Sequence, residues 1–220
     1  MIRFEKVFLR FDTGISLREL NFTIDQGEFL YLYGDSGSGK SSILKMIYMD
    51  LFPNSGTVSV LDFDSSQIKR RDIAIVRQKI GMVFQDFYLL SDRDIYSNIA
   101  LPLEIQGLKA DVVRRTVSLK ADELGIRSRL SHYPHELSTG EQQRVALARA
   151  IVNSPDVLLV DEPLAHLDST AAKEVVKHLW KINESGTSVI FATHNEKLLR
   201  EDPARTMTLV SGEIVKDREA

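Results

Sequence analysis

The sequence predicts an α/β fold organised around a parallel sheet, and three observations predict it. Short apolar strand patterns alternate with helical ones in the last third, a glycine-rich loop joins a strand to a helix near the start, and the middle third carries helical spacing almost throughout. With 220 residues the chain can bury one substantial core or two closely packed lobes but falls short of two independent average domains, so one domain spanning 1–220 is expected.

The opening, MIRFEKVFLRF, interleaves charges with Ile, Phe, Val and Leu as a strand does, and strands are expected at about 2 to 8, 16 to 24 and 28 to 33. A helix is expected from about 39 to 48, where Ile43, Leu44 and Ile47 fall on one face. NSGTVSV then reads as a turn entering a strand. From about 86 to 153 apolar residues recur at helical intervals, first Ile95, Ile99 and Leu103, then Val112, Val113, Val117 and Leu124, then Val145, Leu147, Ala148 and Ile151. That stretch is an expected helical insertion over about 86–154, leaving about 1–85 and 155–220 for the remainder. After it come a buried strand, VLLV, a helix from about 170 to 184, a second buried strand, SVIFAT, a further helix and a hairpin turning at Ser211 and Gly212. Apolar strands separated by helices are what a parallel sheet covered on both faces requires.

Composition excludes several classes. With 28 Lys and Arg against 31 Asp and Glu, the net charge is −3, which gives no global electrostatic case for nucleic-acid binding. The chain has no cysteine, so disulfides and Cys-ligated metals are ruled out. Apolar runs such as VLLV fall far below the roughly 20 residues of a membrane helix, and the opening lacks the apolar core of a signal peptide, so any work at a membrane requires a partner's span. The local cluster of Lys69, Arg70, Arg71, Arg77 and Lys79 reads as a solvated helix face, with contact to anionic lipid headgroups as the alternative.

GDSGSGKSS, residues 34–42, fits G-x-x-x-x-G-K-[ST] and lies between the strand FLYLY and a helix, the context that makes this motif a phosphate-binding loop. Gly34, Gly37 and Gly39, with Ser36 and Ser38 between them, let backbone N–H groups point inward toward a nucleotide; Lys40 reaches its β- and γ-phosphates. Ser41 supplies a hydroxyl to Mg²⁺, and Ser42 lies near the α-phosphate. DVLLVDEP puts Asp161 and Glu162 at the C-terminal end of a buried strand, where neighbouring side chains point opposite ways: Asp161 toward phosphate and Mg²⁺, Glu162 toward an attacking water. His194 ends the next buried strand in IFATHN, and Gln85 follows a strand-like run in GMVFQD, with an amide able to touch Mg²⁺ or water. Each of these two is an unremarkable strand-end residue by itself and gains meaning from the loop upstream. In ELSTGEQQR, Ser138 and Glu141 form a capping-box pattern at a helix start.

This ordered set resembles the ABC-transporter ATPase family over nearly the whole chain. The resemblance implies a P-loop nucleotide-binding domain with a RecA-like parallel-sheet core, an N-terminal antiparallel β subdomain and a helical subdomain. It assigns the Walker A motif to 34–42, the Q-loop to Gln85, the signature to 137–142, Walker B to Asp161 with catalytic Glu162, the D-loop to AHLD ending at Asp168, and the switch to His194. It further implies ATP and Mg²⁺ as cofactors and Phe11 stacked on adenine, about evenly balanced against Phe11 as a small-sheet core residue. Two copies are expected to close head to tail around two ATP, with Ser138, Gly140 and Glu141 of one facing a γ-phosphate held by the other. Three features depart from the family pattern: Thr139 stands where it has the first signature glycine, and PLA and His166 precede Asp168.

Within the family, MIRFEKV and RQKIGMVFQDFYLLSDRDIYSNIALPL resemble its cell-division branch, which implies an integral membrane partner through which ATP turnover regulates peptidoglycan hydrolysis. That partner is expected to dock a short helix in a groove near residues 87–103, where Phe87, Tyr88, Leu89 and Leu90 cluster and Leu103 ends the run; at least half of these side chains are expected to complete the lobe's own core. The chain is accordingly expected on the cytoplasmic face of the bacterial inner membrane, held there by its partner. The alternatives are a lipoprotein-release or macrolide-export ATPase and, less favoured for want of basic extensions or coiled-coil arms, a non-transport ABC ATPase acting on nucleic acid. A P-loop kinase is disfavoured by the signature and His194.

Overall fold

The computed structural model describes residues 1–11, 16–165, 167–201 and 204–219. A four-stranded antiparallel sheet opens the chain. Its strand β1 (Ile2–Arg10) pairs with β2 (Ser16–Ile24) on one side and β4 (Ser55–Val60) on the other, and β5 (Phe63–Asp64) extends the β4 edge. The alternation in β1 changes parity midway. Ile2 and Phe4 are buried, then Val7 and Leu9, and the shift is absorbed by an irregularity at Lys6, which takes φ 48°. A bulge of this kind is what lets one strand keep its apolar residues on a single face despite an extra residue.

The second sheet has six strands in the order β10-β9-β3-β8-β7-β6, where β3 is Phe29–Tyr33, β6 Ile80–Val83, β7 Val157–Asp161, β8 Ser188–Thr193, β9 Arg205–Val210 and β10 Glu213–Arg218. Neighbours from β9 to β6 run parallel, and β10 returns antiparallel at the edge as the expected hairpin. Both faces of this sheet are covered, and residues of each strand divide between two cores. Phe29, Tyr31, Leu158, Val160, Val189 and Phe191 face the helical side, whereas Leu30, Leu32, Val157, Leu159, Ile190 and Ala192 face the antiparallel sheet and helix α1 (Lys40–Ile47).

The middle of the chain is helical but less continuously than its spacing predicts. Helix α2 (Arg70–Gln78) precedes β6; the insertion itself holds α3 (Ile95–Ile105), α4 (Ala110–Glu123) and α5 (Thr139–Ile151). Residues 86–94 are not helical, because Asp94 caps α3 by accepting from Ser97 N and the buried Asn98 amide ties down Leu90 and Arg93 ahead of it. Between α4 and α5 the chain makes only two single 3₁₀ turns. Helix α6 (Ser169–Glu184) returns to the sheet, with Trp180 stacked on Phe29 at 4.1 Å, and α7 (Glu196–Glu201) follows β8.

Candidate functional site

Strands β3, β8 and β7 lie side by side and parallel, with Tyr33 opposite Thr193 and Ala192 opposite Asp161. Whatever follows each strand therefore emerges at one edge: the 34–39 loop after β3, Glu162 after β7 and His194 after β8. The loop turns into α1 at Gly39, whose φ of 112° would strain any other residue and where an added Cβ would lie 2.4 Å from Leu17 Cδ2, so that Leu17 would have to shift. No side chain caps α1, so its first N–H groups face the loop as an anion-binding helix end does.

Lys40 is buried and its Nζ donates to Gly34 O at 2.6 Å and Asp35 O at 3.0 Å, while lying 3.2 Å from Glu162 Oε1. The second oxygen of Glu162 is 2.9 Å from His194 Nδ1. Glu162 itself sits at φ 46°, with its N–H bonded to Ala192 O. A non-glycine residue in this left-handed region costs on the order of 1 kcal/mol, and such strain concentrates at functional positions.

Asp161 occupies the most unfavourable place for a carboxylate in the cluster. Burial pushes its pKa above the ordinary value, partly opposed by a hydrogen bond from Ser41; nearby Glu162 raises it further and Lys40 lowers it. Its Oδ1 is buried with no hydrogen-bond partner. An orphaned carboxylate oxygen beside a serine hydroxyl is a hard-oxygen donor set that suits Mg²⁺, which takes one or two carboxylates and fills its remaining positions with phosphate and water. Ser38 Oγ is likewise buried and unpartnered, while Ser36, Gly37 and Ser41 are exposed and Ser42 is half-buried.

Other expected site residues fall into distinct settings. Gln85 is exposed two residues beyond β6, at the same sheet edge, since Val83 pairs with Val160. Phe11 is half-buried against the core of the antiparallel sheet. The Asp168 carboxylate caps α6 by accepting from Thr170 N and Ala171 N. His166 lies outside the described residues.

The signature turn forms the predicted capping box: Glu141 N donates to Ser138 Oγ at 3.3 Å and Ser138 N to Glu141 Oε2 at 2.9 Å, with Arg129 Nε 2.7 Å from Glu141 Oε1. Thr139 is the first helical residue and is not among the left-handed positions, so its β-branched side chain fits the backbone. The turn is not brought to Lys40 within the chain: α1 packs on β4 and β7, whereas α5 packs on α3, α4 and β6.

On another face, a groove of about 790 Å³ runs between the segment that follows α1, α2, β6, α3 and the C-terminal end of α5. Of the residues expected there, Tyr88, Leu90 and Leu101 line it, while Phe87 and Leu89 pack against the helical core and Leu103 is buried in it. Tyr48, Phe52, Ile105 and Arg149 line the groove from other elements, as does Arg77, which the charge pattern alone places on a solvated helix face. Phe52, Tyr88 and Ile105 are 40%, 61% and 67% exposed, three large apolar side chains that line the same groove. The one available signal was Phe52 and Ile105 standing next to breaker residues, Pro53 and the Gln106-Gly107 turn.

Residues 17–165 match the family model described as ABC transporter. The chain is 40% identical over 218 residues to the cell division ATP-binding protein FtsE of Bacillus subtilis, covering 99% of this chain and 96% of the relative. It is 40% identical over 215 residues to the protein of that name in Escherichia coli K12, covering 97% of each. Among solved structures it resembles the dimeric ATP-binding cassette MJ0796 in a post-hydrolysis state bound to ADP and Pi, with TM-score 0.91, 30% identity and coverage of 100% of this chain and 98% of the other. Among the described residues no helix is long and apolar enough to cross a membrane.

Proposed function

The chain belongs to the ABC transporter ATPase family and is an ATP-hydrolysing cassette; on that footing we propose that two copies close around two Mg-ATP and drive an FtsX-type membrane protein during cell division. The family assignment rests on the match over 17–165; the cell-division role rests on near-full-length identity to FtsE proteins, and the membrane protein is the partner that name implies. The observation carrying the chemistry is the contact chain Lys40–Glu162–His194 at the mouth of the phosphate loop.

Incoming β- and γ-phosphates offer Lys40 a stronger set of acceptors than the carbonyls of Gly34 and Asp35, and they draw its ammonium away from Glu162. Glu162 is then free to orient a water for in-line attack and take its proton, while the His194 Nδ1 that stands 2.9 Å from its other carboxylate oxygen is the ring nitrogen for which the γ-phosphate competes. Ser41, Asp161 and Gln85 would hold Mg²⁺, which would supply positive charge against the phosphate oxygens. The phosphates rest on backbone N–H groups from Gly34 to Ser42, the adenine on Phe11. Ser138, Gly140 and Glu141 of the second copy supply a helix N-terminus to the γ-phosphate, and Asp168 orders the helix beside that contact. The partner docks in the groove by Tyr88, and the cassette sits against the cytoplasmic face of the membrane through it.

Replacing the base tests the chemistry. Glu162→Gln is expected to leave ATP affinity unchanged and to reduce turnover by roughly 10²–10⁴-fold; wild-type steady-state ATPase in that variant would remove Glu162 from the role. Co-expression with FtsX-type, lipoprotein-release and macrolide-export membrane subunits tests the partner, and recovery with either of the last two in preference to the first overturns the cell-division assignment.

A further inference from the structure

Arg149 stands in the last turn of α5, eleven residues after Ser138 and so about 16 Å along the same helix. Its guanidinium reaches across to the loop that follows Gln85, with Nη1 donating to Tyr88 O at 2.7 Å and Nη2 to Phe87 O at 2.6 Å. Phe87 and Tyr88 are consecutive non-glycine residues at φ 61° and 45°. Isolated left-handed residues of this kind are uncommon, and two in succession persist only when the surroundings hold them. The fork of a guanidinium suits two adjacent carbonyls, and burial lowers the pKa of Arg149, so the cation is retained at a cost that its backbone contacts offset.

The loop so held faces the groove. Tyr88 is exposed there and meets Phe84 edge-on at 5.0 Å, and Phe84, Tyr88 and Arg149 all line the groove together with Tyr48. Helix α5 thus has one end at the signature turn and the other clamped to the groove wall.

We infer that Arg149 is a positioning residue that makes the strained loop at Phe87 and Tyr88 move with α5, so that nucleotide contact at Ser138 is felt as a shift of Tyr88 in the partner groove. The inference rests on the reading that Ser138 meets a nucleotide held by a second copy. Gln85 reports from the nucleotide site through the loop's own chain; Arg149 adds a route from the signature turn at the other end of α5.

Amide hydrogen exchange on the full chain tests this in a Glu162→Gln background, with Mg-ATP as the probe and size-exclusion chromatography to follow dimer formation. With Arg149 present, Mg-ATP changes exchange at residues 87–90. With Arg149→Met, exchange at 87–90 rises about tenfold or more and no longer responds to ATP, while protection of 39–44 by ATP and dimer formation persist. An ATP response at 87–90 equal to that of the parent overturns the inference. If the Met variant fails to fold, Arg149→Gln, whose amide reaches at most one carbonyl, takes its place: a weakened response supports the clamp and an unchanged one overturns it. Absence of an ATP dimer in the Glu162→Gln parent, with 39–44 still protected, instead overturns the underlying reading of Ser138 and the inference with it.

Discussion

Asp161 shows the conflict between stability and chemistry in one residue. Its carboxylate is 8% exposed, its pKa is raised first by burial, and one oxygen has no hydrogen-bond partner. For an acid whose pKa is higher folded than unfolded, ionisation is the unfavourable event, so its contribution to stability declines as pH rises through the unfolded value of 3.8 and stays low at neutral pH. Asn has nearly the same shape, can still accept from Ser41, and carries no charge to desolvate. Asp161→Asn is therefore expected to stabilise the nucleotide-free protein at pH 7 by about 1 kcal/mol in urea denaturation, and to abolish Mg²⁺-dependent ATPase activity. A destabilised Asn variant would mean that Lys40 and Ser41 more than offset the burial of the charge.

At the scale of an element, the start of α5 is held by a charge as much as by a cap. The Arg129 hydrogen bond, then the backbone and hydroxyl of Ser138, lower the Glu141 pKa from 4.5 to about 2. A depressed carboxylate contributes stability above its unfolded pKa and loses it as pH falls toward its folded one. Glu141→Gln keeps the cap geometry and removes the ion pair, so it is expected to cost roughly 1 kcal/mol at pH 7, with the gap to wild type closing between about pH 4.5 and 2. Denaturation of both proteins in parallel across that range measures it; a gap independent of pH would assign the stabilisation to the cap alone. This element was legible from Ser138 and Glu141 because a capping box is local, three residues of spacing with a known geometry. The phosphate loop was legible for the same reason. What the sequence hid was contact between distant residues: Lys40 on Glu162 across two strand spacings, and Arg149 on carbonyls 61 and 62 positions earlier. Helical spacing also overran the real start of α3, since periodicity does not register a buried side chain such as Asn98, which fixes the preceding loop in a non-helical path.

For the whole molecule, the two halves of the proposed site belong to surfaces that the fold keeps apart, and two glycines differ in what the single chain asks of them. Gly39 is required by the chain itself, through its φ and the contact with Leu17. Gly140 is not: its φ lies outside the left-handed region, and an added Cβ would meet Ala171 Cβ at 3.8 Å, an ordinary contact. Within the helix, alanine in its place should even gain about 0.5–1 kcal/mol from backbone entropy. Nothing within the single chain requires a glycine at 140, which agrees with the proposal that a nucleotide carried by a second copy approaches the α5 N-terminus closely. Gly140→Ala is expected to melt no lower than wild type and to bind ATP as a monomer with unchanged affinity. In the Glu162→Gln background it is expected to weaken ATP-induced dimerisation by about tenfold or more, the loss of one or two charge-assisted backbone contacts. Sedimentation velocity with Mg-ATP measures the association. Dimerisation as tight as in the parent would show that the turn does not approach the nucleotide, and would separate this cassette from the head-to-tail arrangement.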